Sequence, residues 1–222
     1  MEIIESLSIR LDIEEVKAKL RAKDRDLVQY LLDIARPLIS PKIIFQISTV
    51  QGKYEDNVVI DGVIFKSRVL QRILDKGERV FPFIITIGKG LEEEVDKISD
   101  LLEKYYLDVI GNMALIKTRE DLERYLGSRF AIRCLSFMEP GSFGDWPIEE
   151  QRPLFSLFRG GEASIGVRLT ENLLMIPRKS LSGIFFPTEK VFYSCQLCPR
   201  ERCEGRKASY DRELAKEYGI LK

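Results

Sequence analysis

A long amphipathic helix is the clearest element that the sequence predicts. From Leu91 onward, apolar residues recur at steps of three or four, which places them on one face of a helix. Gly111 lies inside this segment, where glycine costs about 1 kcal/mol relative to alanine, so we expect a neighbouring backbone to approach closely there. A second helix is predicted to start at Thr118 with Asp121 and to end near Leu126. The apolar stripe consists of Leu91, Val95, Ile98, Leu102, Tyr105, Val109 and Met113.

Short β-rich runs are the other main signal. Residues 43–50 alternate apolar and polar side chains, and residues 58–65 form two runs around Asp61-Gly62, a pair typical of a type I′ hairpin. Residues 80–87 are predicted to form a buried strand. The remaining predicted strands are residues 130–137, 165–169, 173–176 and 181–186. The last three are short and are interrupted by proline and glycine, which favours a curved, largely antiparallel sheet.

Capping residues predict four further helices. Asp12 with Glu15 resembles a capping box, and Asp24 or Asp26 opens a helix that ends before Pro37. The other two are a helix capped by Ser67 and ended by Gly77, and a helix that Pro147 opens and that runs through Phe155 and Leu157. Helices and strands in this order predict an α+β fold.

The composition excludes several classes of function. Thirty-five Lys and Arg balance thirty-five Asp and Glu, so no net field draws the chain to nucleic acid or to an acidic membrane. The longest apolar runs, such as residues 83–87, are too short to span a bilayer, and the N-terminus lacks the regions of a signal peptide. We therefore expect a cytoplasmic protein with no nucleic-acid or membrane partner. The chain has no histidine, so metal binding or proton transfer must use other side chains.

Three cysteines near the C-terminus have a spacing typical of a metal site. They are Cys195, Cys198 and Cys203, and Cys134 is the fourth cysteine of the chain. In a cytoplasmic chain such cysteines more often bind metal or act in redox chemistry than form stable disulfides. We predict zinc or an iron–sulfur cluster on these three thiolates, with Cys134, a carboxylate, a partner or water as the fourth ligand. A disulfide or an unliganded tail is the alternative.

A segment of nearly fifty residues resembles a known family. Residues 139–158 read EPGSFGDWPIEEQRPLFSLF, and residues 165–186 read IGVRLTENLLMIPRKSLSGIFF. In order and spacing they resemble the signature of the activation domain of cobalamin-dependent methionine synthase, and the resemblance covers roughly residues 80–190. The matching residues are Pro140, Gly141, Asp145, Trp146, Pro147, Glu150, Gln151, Leu154, Phe155, Gly166, Leu169, Thr170, Glu171, Met175, Pro177, Lys179, Ser180, Ser182 and Gly183.

The resemblance implies a fold and an organisation of the chain. It implies a twisted, largely antiparallel sheet with long flanking helices around a shallow groove. Residues 1–78 would form an N-terminal helical and hairpin part, residues 79–190 the activation-domain-like core, and residues 191–222 a cysteine-containing tail and helix. We expect these three parts to form one compact unit.

The resemblance also implies a function. In that family the domain binds S-adenosylmethionine and presents its methyl group to cobalamin. We therefore expect an accessory factor of a corrinoid methyltransferase such as methionine synthase, in methionine biosynthesis. It would assist reductive reactivation of cobalamin held by a partner, with S-adenosylmethionine as methyl donor, and the sequence leaves open whether the chain itself is an enzyme. The alternative is a noncatalytic module that binds a corrinoid protein and has lost the S-adenosylmethionine chemistry.

The resemblance implies the site residues as well. Those expected to hold the ligand are Pro140, Gly141, Phe143, Trp146, Gln151, Glu171, Lys179 and Ser180. The face carrying Trp146, Gln151 and residues 178–182 is expected to meet the corrinoid module, with Trp146 as an exposed anchor. The competing interpretation is a rigid turn whose tryptophan covers the core, followed by a solvated loop at residues 178–182.

Three departures from the family pattern favour the noncatalytic alternative. Phe137 and Ser142 occupy positions where the family has an arginine and a tyrosine. Residues 114–116 read Ala-Leu-Ile where the family's long helix carries a glutamate. All three departures fall on residues expected to hold the ligand.

Overall fold

An eight-stranded antiparallel sheet organises the fold. The structure is a computed structural model that describes residues 1–5, 9–75, 77–203 and 206–220. The strands of this sheet are β1 (Glu2–Ile4), β2 (Lys42–Phe45), β3 (Ser48–Lys53), β4 (Asn57–Ile60), β5 (Val63–Lys66), β6 (Arg79–Thr86), β7 (Leu135–Met138) and β10 (Ser180–Pro187). A separate pair consists of β8 (Arg168–Leu169) and β9 (Met175–Ile176).

Seven α-helices accompany the strands among the described residues. They are α1 (Ile13–Leu20), α2 (Arg25–Ala35), α3 (Arg68–Ile73), α4 (Gly90–Lys97), α5 (Leu101–Arg129), α6 (Gln151–Ser156) and α7 (Arg212–Glu217). Asp12, Asp24, Ser67 and Asp100 each accept backbone N–H groups in the first turn of a helix. None of these helices has the length and apolar composition that crossing a membrane requires.

The strand β6 is the centre of the sheet. Its C-terminal half lies between β2 and β10, with Ile84 opposite Ile44 on one edge and opposite Ser182 on the other. Its N-terminal end pairs with β3, which continues into β4 and the β4–β5 hairpin at Asp61-Gly62. On the far side, β10 also pairs with β7. This antiparallel sheet with a long helix on one face confirms the predicted α+β fold class.

Side chains alternate between two apolar clusters on the faces of the sheet. Phe83, Ile85 and Phe185 face α5, where they meet Leu122 and Leu126. On the other face, a larger cluster of buried residues includes Ile84, Ile184, Trp146 and Phe158. A third cluster joins α1, α2 and the first half of α5. We call the second of these, which contains Ile84 and Trp146, the large core cluster.

The long helical segment breaks at a different place from the one predicted. The structure ends α4 at Lys97 and begins α5 at Leu101, because the Asp100 carboxylate accepts the N–H groups of Leu102 and Glu103. The predicted restart at Thr118 is wrong. Its hydroxyl donates to the carbonyl of Ala114 at 2.8 Å, so the residue continues the helix instead of capping it.

Three smaller predictions also differ from the structure. The helix after Ser67 ends at Ile73, before Gly77. The strand predicted at residues 130–137 is β7, Leu135–Met138, because α5 extends to Arg129 and the chain turns after it. The close neighbours of Gly111 are side chains: an added Cβ would lie 3.0 Å from Leu91 and 3.3 Å from Lys179.

Candidate functional site

The Pro140–Trp146 turn is fastened to the N-terminus of α3. The Asp145 carboxylate accepts the Ser67 hydroxyl at 2.8 Å and the Val69 N–H at 3.0 Å, and it pairs with Arg68 at 3.0 Å. Gly141 has φ of +83°, and an added Cβ would lie 2.9 Å from Ile148. The turn therefore requires this glycine for its own geometry.

The aromatic residues of this turn are buried. Trp146 is fully buried and Phe143 is 7% exposed, and both belong to the large core cluster. The prediction of an exposed Trp146 that anchors a partner is therefore wrong. The physical reason is that Phe65 packs edge-on against the indole, and α6 with its large apolar side chains closes the same cluster.

The other predicted ligand residues do not converge on one point. Gln151 is 4% exposed in α6, and the Ser180 hydroxyl donates to Thr86 and to the carbonyl of Pro177. The ammonium of Lys179 instead lies 2.7 Å from Asp108 of α5, and Glu171 is exposed with its carbonyl bonded to Arg152. Pro140 is buried beside the turn.

The loop at residues 178–182 is held by ion pairs within the molecule. The backbone N–H of Arg178 donates to the Glu92 carboxylate at 2.8 Å, and its guanidinium lies near Glu92 and Asp96 of α4. Lys179 also donates to the side-chain oxygen of Asn112 at 2.7 Å. The charged groups of this loop are therefore engaged with α4 and α5.

A groove on the α5 side of the sheet brings together a different set of residues. It has a volume of about 320 Å³ and lies between α5, the end of β7, β10 and the C-terminal tail. Its walls are formed by Asn112, Leu115, Ile116, Arg119, Phe137, Glu139, Leu181, Phe192, Tyr193, Ser194, Cys195 and Lys207. We call this cavity the α5 groove. Its volume is at the lower end of the range of small-molecule sites.

Arg119 is the central polar group of the α5 groove. Its side chain is 3% exposed, and the guanidinium carbon lies 4.1 Å from the centre of the Phe137 ring. Nη1 has no hydrogen-bond partner among the described residues, and the Glu120 carboxylate lies 3.7 Å from Nη2, beyond hydrogen-bond distance. A buried donor without a partner costs about 1–3 kcal/mol, and more when it is charged. Arg119, which lines the α5 groove, thus carries a buried cationic donor without a partner among the described residues.

Two further ionisable groups line the groove. Burial raises the pKa of Glu139, although Arg119 and Lys207 act in the opposite direction. Partial removal from water lowers the pKa of Lys207, and the nearby Arg119 charge lowers it further. Burial therefore disfavours the charged form of each of these groups. A ligand with charges of both signs would supply what each of them lacks.

Sequence reasoning missed Arg119, although a signal for it was present. Arg119 stands in line with Leu115, Leu122 and Leu126 on the face of α5 that meets the sheet. A charged residue within such a stripe is rarely buried without a reason. Its guanidinium lies over the ring of Phe137 in β7. The long helix α5 thus brings an arginine side chain against Phe137 of β7.

Only one of the three tail cysteines among the described residues lines this groove. Cys195 lines it, Cys198 packs against the large core cluster, and Cys203 is exposed. Cys134 lines a different cavity, beside Glu78 and Tyr218. Within residues 1–5, 9–75, 77–203 and 206–220, no three Cys, Asp or Glu side chains are placed to hold a metal ion. The metal centre remains a prediction, and residues 204, 205, 221 and 222 of the predicted tail lie outside the described residues.

Comparison with known proteins identifies the fold. No family model matches the sequence, and no curated protein matches it. Among solved structures, the chain is similar to the MetH reactivation domain, whose crystal structure has AdoHcy bound. The two share 15% identity with a TM-score of 0.56, over 83% of this chain and 69% of that one. The protein therefore has the fold of the MetH reactivation domain, the fold that the resemblance in residues 139–186 predicted.

Proposed function

We propose that this protein binds S-adenosylmethionine or its product AdoHcy in the α5 groove and serves a corrinoid methyltransferase of the methionine synthase type. The observation that carries the proposal is the buried Arg119, whose Nη1 has no partner among the described residues. The shared fold supports it, because the MetH reactivation domain was crystallised with AdoHcy. Cobalamin would be held by a separate partner.

The groups of the groove suit the groups of such a ligand. The ligand's carboxylate would accept the free N–H of Arg119, a charge-assisted hydrogen bond. Its ammonium would lie beside Glu139, whose ionised form burial disfavours and a further cation would favour. The apolar walls would receive the adenine and the thioether chain, and they include Leu115, Ile116, Leu181 and Phe192.

Methyl transfer from a sulfonium demands little acid or base chemistry from the protein. The methyl group is already activated, and reduced cobalt is a strong nucleophile, so positioning is the main task. A chain without histidine can perform it. In this proposal the protein holds the amino acid end of the ligand at Arg119, and the reduced cobalt of the partner's corrinoid attacks the methyl group.

Calorimetry with AdoHcy tests the proposal. We expect saturable binding to the parent and a loss of about 10- to 150-fold in affinity for Arg119→Gln, because one hydrogen bond to a charged group is removed. Arg124→Gln is the matched control, since Arg124 lies on the same helix and is 78% exposed. Ile116→Trp provides a second test, because it fills the groove without altering the guanidinium.

Two results would contradict the proposal. One is the absence of binding to the parent at millimolar AdoHcy. The other is an Arg119→Gln variant that folds like the parent, by its far-ultraviolet spectrum and melting temperature, and binds with the same affinity.

A noncatalytic corrinoid-protein module is the second candidate function. The observation that favours it is the departure at Phe137, Ser142 and residues 114–116 from the residues expected to hold the ligand. It predicts comigration with a corrinoid protein from the same source together with no affinity for AdoHcy. The first candidate predicts comigration together with affinity for AdoHcy.

A further inference from the structure

A tight turn holds two of the tail cysteines close together. Cys195 lies in the 3-10 turn Ser194–Leu197, and the N–H of Cys198 donates to the carbonyl of Cys195 at 3.3 Å. Such a turn keeps its first and fourth α-carbons within about 7 Å. Disulfides join α-carbons about 4.4–6.8 Å apart. The turn therefore brings the two α-carbons close to the separation that a disulfide spans.

The two thiols have different surroundings. Both are free and partly buried, but Cys195 lines the α5 groove, whereas Cys198 packs against the large core cluster. The Sγ of Cys195 accepts the backbone N–H of Lys207 at 3.5 Å. The groove gives a reagent access to Cys195. Cys195 is thus placed to attack an incoming disulfide, and Cys198 to attack the mixed disulfide that results.

A single arginine binds the backbone of both cysteines. The Arg206 guanidinium donates to the carbonyl oxygens of Cys195 at 3.2 Å and Cys198 at 3.3 Å. It also donates to the carbonyls of Ala208 and Arg200. These bonds hold the described part of the cysteine loop in shape through a side chain of the protein.

We propose that Cys195 and Cys198 form a redox-active dithiol that exchanges with low-molecular-weight disulfides of the glutathione class. The Cys195 thiolate attacks one sulfur of the disulfide, forms a mixed disulfide and releases one thiol. Cys198 then attacks Cys195 Sγ, forms the internal disulfide and releases the second thiol. The two cysteines lose two electrons, and their two protons end on the two released thiols. This reaction does not rest on ligand binding in the groove.

Alkylation and mass measurement of the full chain test the proposal. The reduced protein is equilibrated with mixtures of reduced and oxidised glutathione, quenched with an alkylating reagent and digested. As the share of oxidised glutathione rises, we expect Cys195 and Cys198 to become protected from alkylation together. The Cys134→Ser and Cys203→Ser controls should behave like the parent. Cys198→Ser should retain glutathione on Cys195, and Cys195→Ser should acquire glutathione at least about tenfold more slowly.

Three results would overturn the proposal. All four cysteines could stay alkylatable at every glutathione ratio, or Cys203 could replace one member of the pair in the disulfide. The third is about one equivalent of zinc or iron in anaerobically purified protein that is lost on Cys195→Ser. That result would support instead the metal centre that the cysteine spacing predicts.

Discussion

At the scale of single residues, Glu139 is the group whose charge the α5 groove controls most directly. Burial raises its pKa above the ordinary value of 4.5, so the folded chain holds a proton to a higher pH than the unfolded chain does. The stability contributed by that proton is present at low pH and is lost as the pH rises through the folded pKa. A cationic ligand favours the ionised form and therefore releases the proton on binding.

The affinity for AdoHcy should consequently depend on pH. We expect affinity to fall as the pH is lowered through the raised pKa of Glu139, because protonation removes the charge that would face the ligand's ammonium in the proposed site. Glu139→Gln should bind more weakly at neutral pH and show little of this pH dependence. Calorimetry at several pH values measures both, with the exposed Glu149→Gln as control. An unchanged pH profile in Glu139→Gln would remove Glu139 from the site.

The residue scale also shows what sequence can predict about a site. The motif around Pro140 and Trp146 was correctly tied to a fold, because a turn with a buried tryptophan leaves a strong local pattern. The same pattern said nothing of Arg119, which lies some twenty positions earlier and reaches Phe137 only through the packing of α5 on the sheet. The local spacing of residues does not predict a long-range contact such as that between Arg119 and Phe137.

At the scale of elements, the Asp145 carboxylate joins a turn to a helix. It is 4% exposed and bonds Ser67, Arg68 and Val69 at the start of α3. Because α3 is only six residues long, it depends on such contacts for its position. The pairing of this turn with α3 explains the tight Gly-Asp-Trp sequence without any reference to a ligand.

Removing this carboxylate should weaken the whole fold. We expect Asp145→Ala to lower the free energy of unfolding by about 2–4 kcal/mol, because buried hydrogen bonds to a charged acceptor are lost. Arg68→Ala should cost less than about 1 kcal/mol, since Arg68 is 48% exposed and its ion pair is screened by solvent. Chemical denaturation measures both. Equal losses for the two variants would mean that the ion pair, and not the buried hydrogen bonds, fastens the turn.

Element boundaries were harder to predict than the elements themselves. The hairpin at Asp61-Gly62 and the buried strand β6 follow from local composition, and both are present in the structure. The break between α4 and α5 depends on one side chain, Asp100, which caps the second helix. Thr118 also has a side chain that could cap a helix, but its hydroxyl donates to the carbonyl of Ala114 within the helix. Packing decides whether a short polar side chain caps a helix or bonds within one, and the spacing of residues does not reveal that packing.

At the scale of the whole molecule, the sheet is most protected along β6. This strand is paired on both edges at Phe83, Ile84 and Ile85, and both of its faces are covered by apolar clusters. The separate β8–β9 pair has only two residues in each strand. Protection against local opening should therefore rise from the margins of the molecule to β6.

Native-state hydrogen exchange should reveal this gradient. We expect the amides of Phe83, Ile84 and Ile85 to exchange only by global unfolding, and those of β8 and β9 to exchange through local openings that cost far less free energy. Exchange followed by mass spectrometry or nuclear magnetic resonance at several denaturant concentrations separates the two routes. Slower exchange in the middle of α5 than in β6 would show that the helix, and not the sheet, is the last element to open.

The length of α5 gives the molecule a mechanical property. Its 29 residues form a rod about 43 Å long, and about 27 Å separates Leu101 from Arg119 along its axis. Leu101 and Tyr105, at the far end from the sheet, are 80% and 55% exposed. If the rod pivots by about 3° as a rigid body, a point 27 Å from the pivot shifts by about 1.4 Å, which is enough to break or align a hydrogen bond. A tilt of α5 about its exposed end would therefore move the guanidinium of Arg119 by about this distance relative to the sheet.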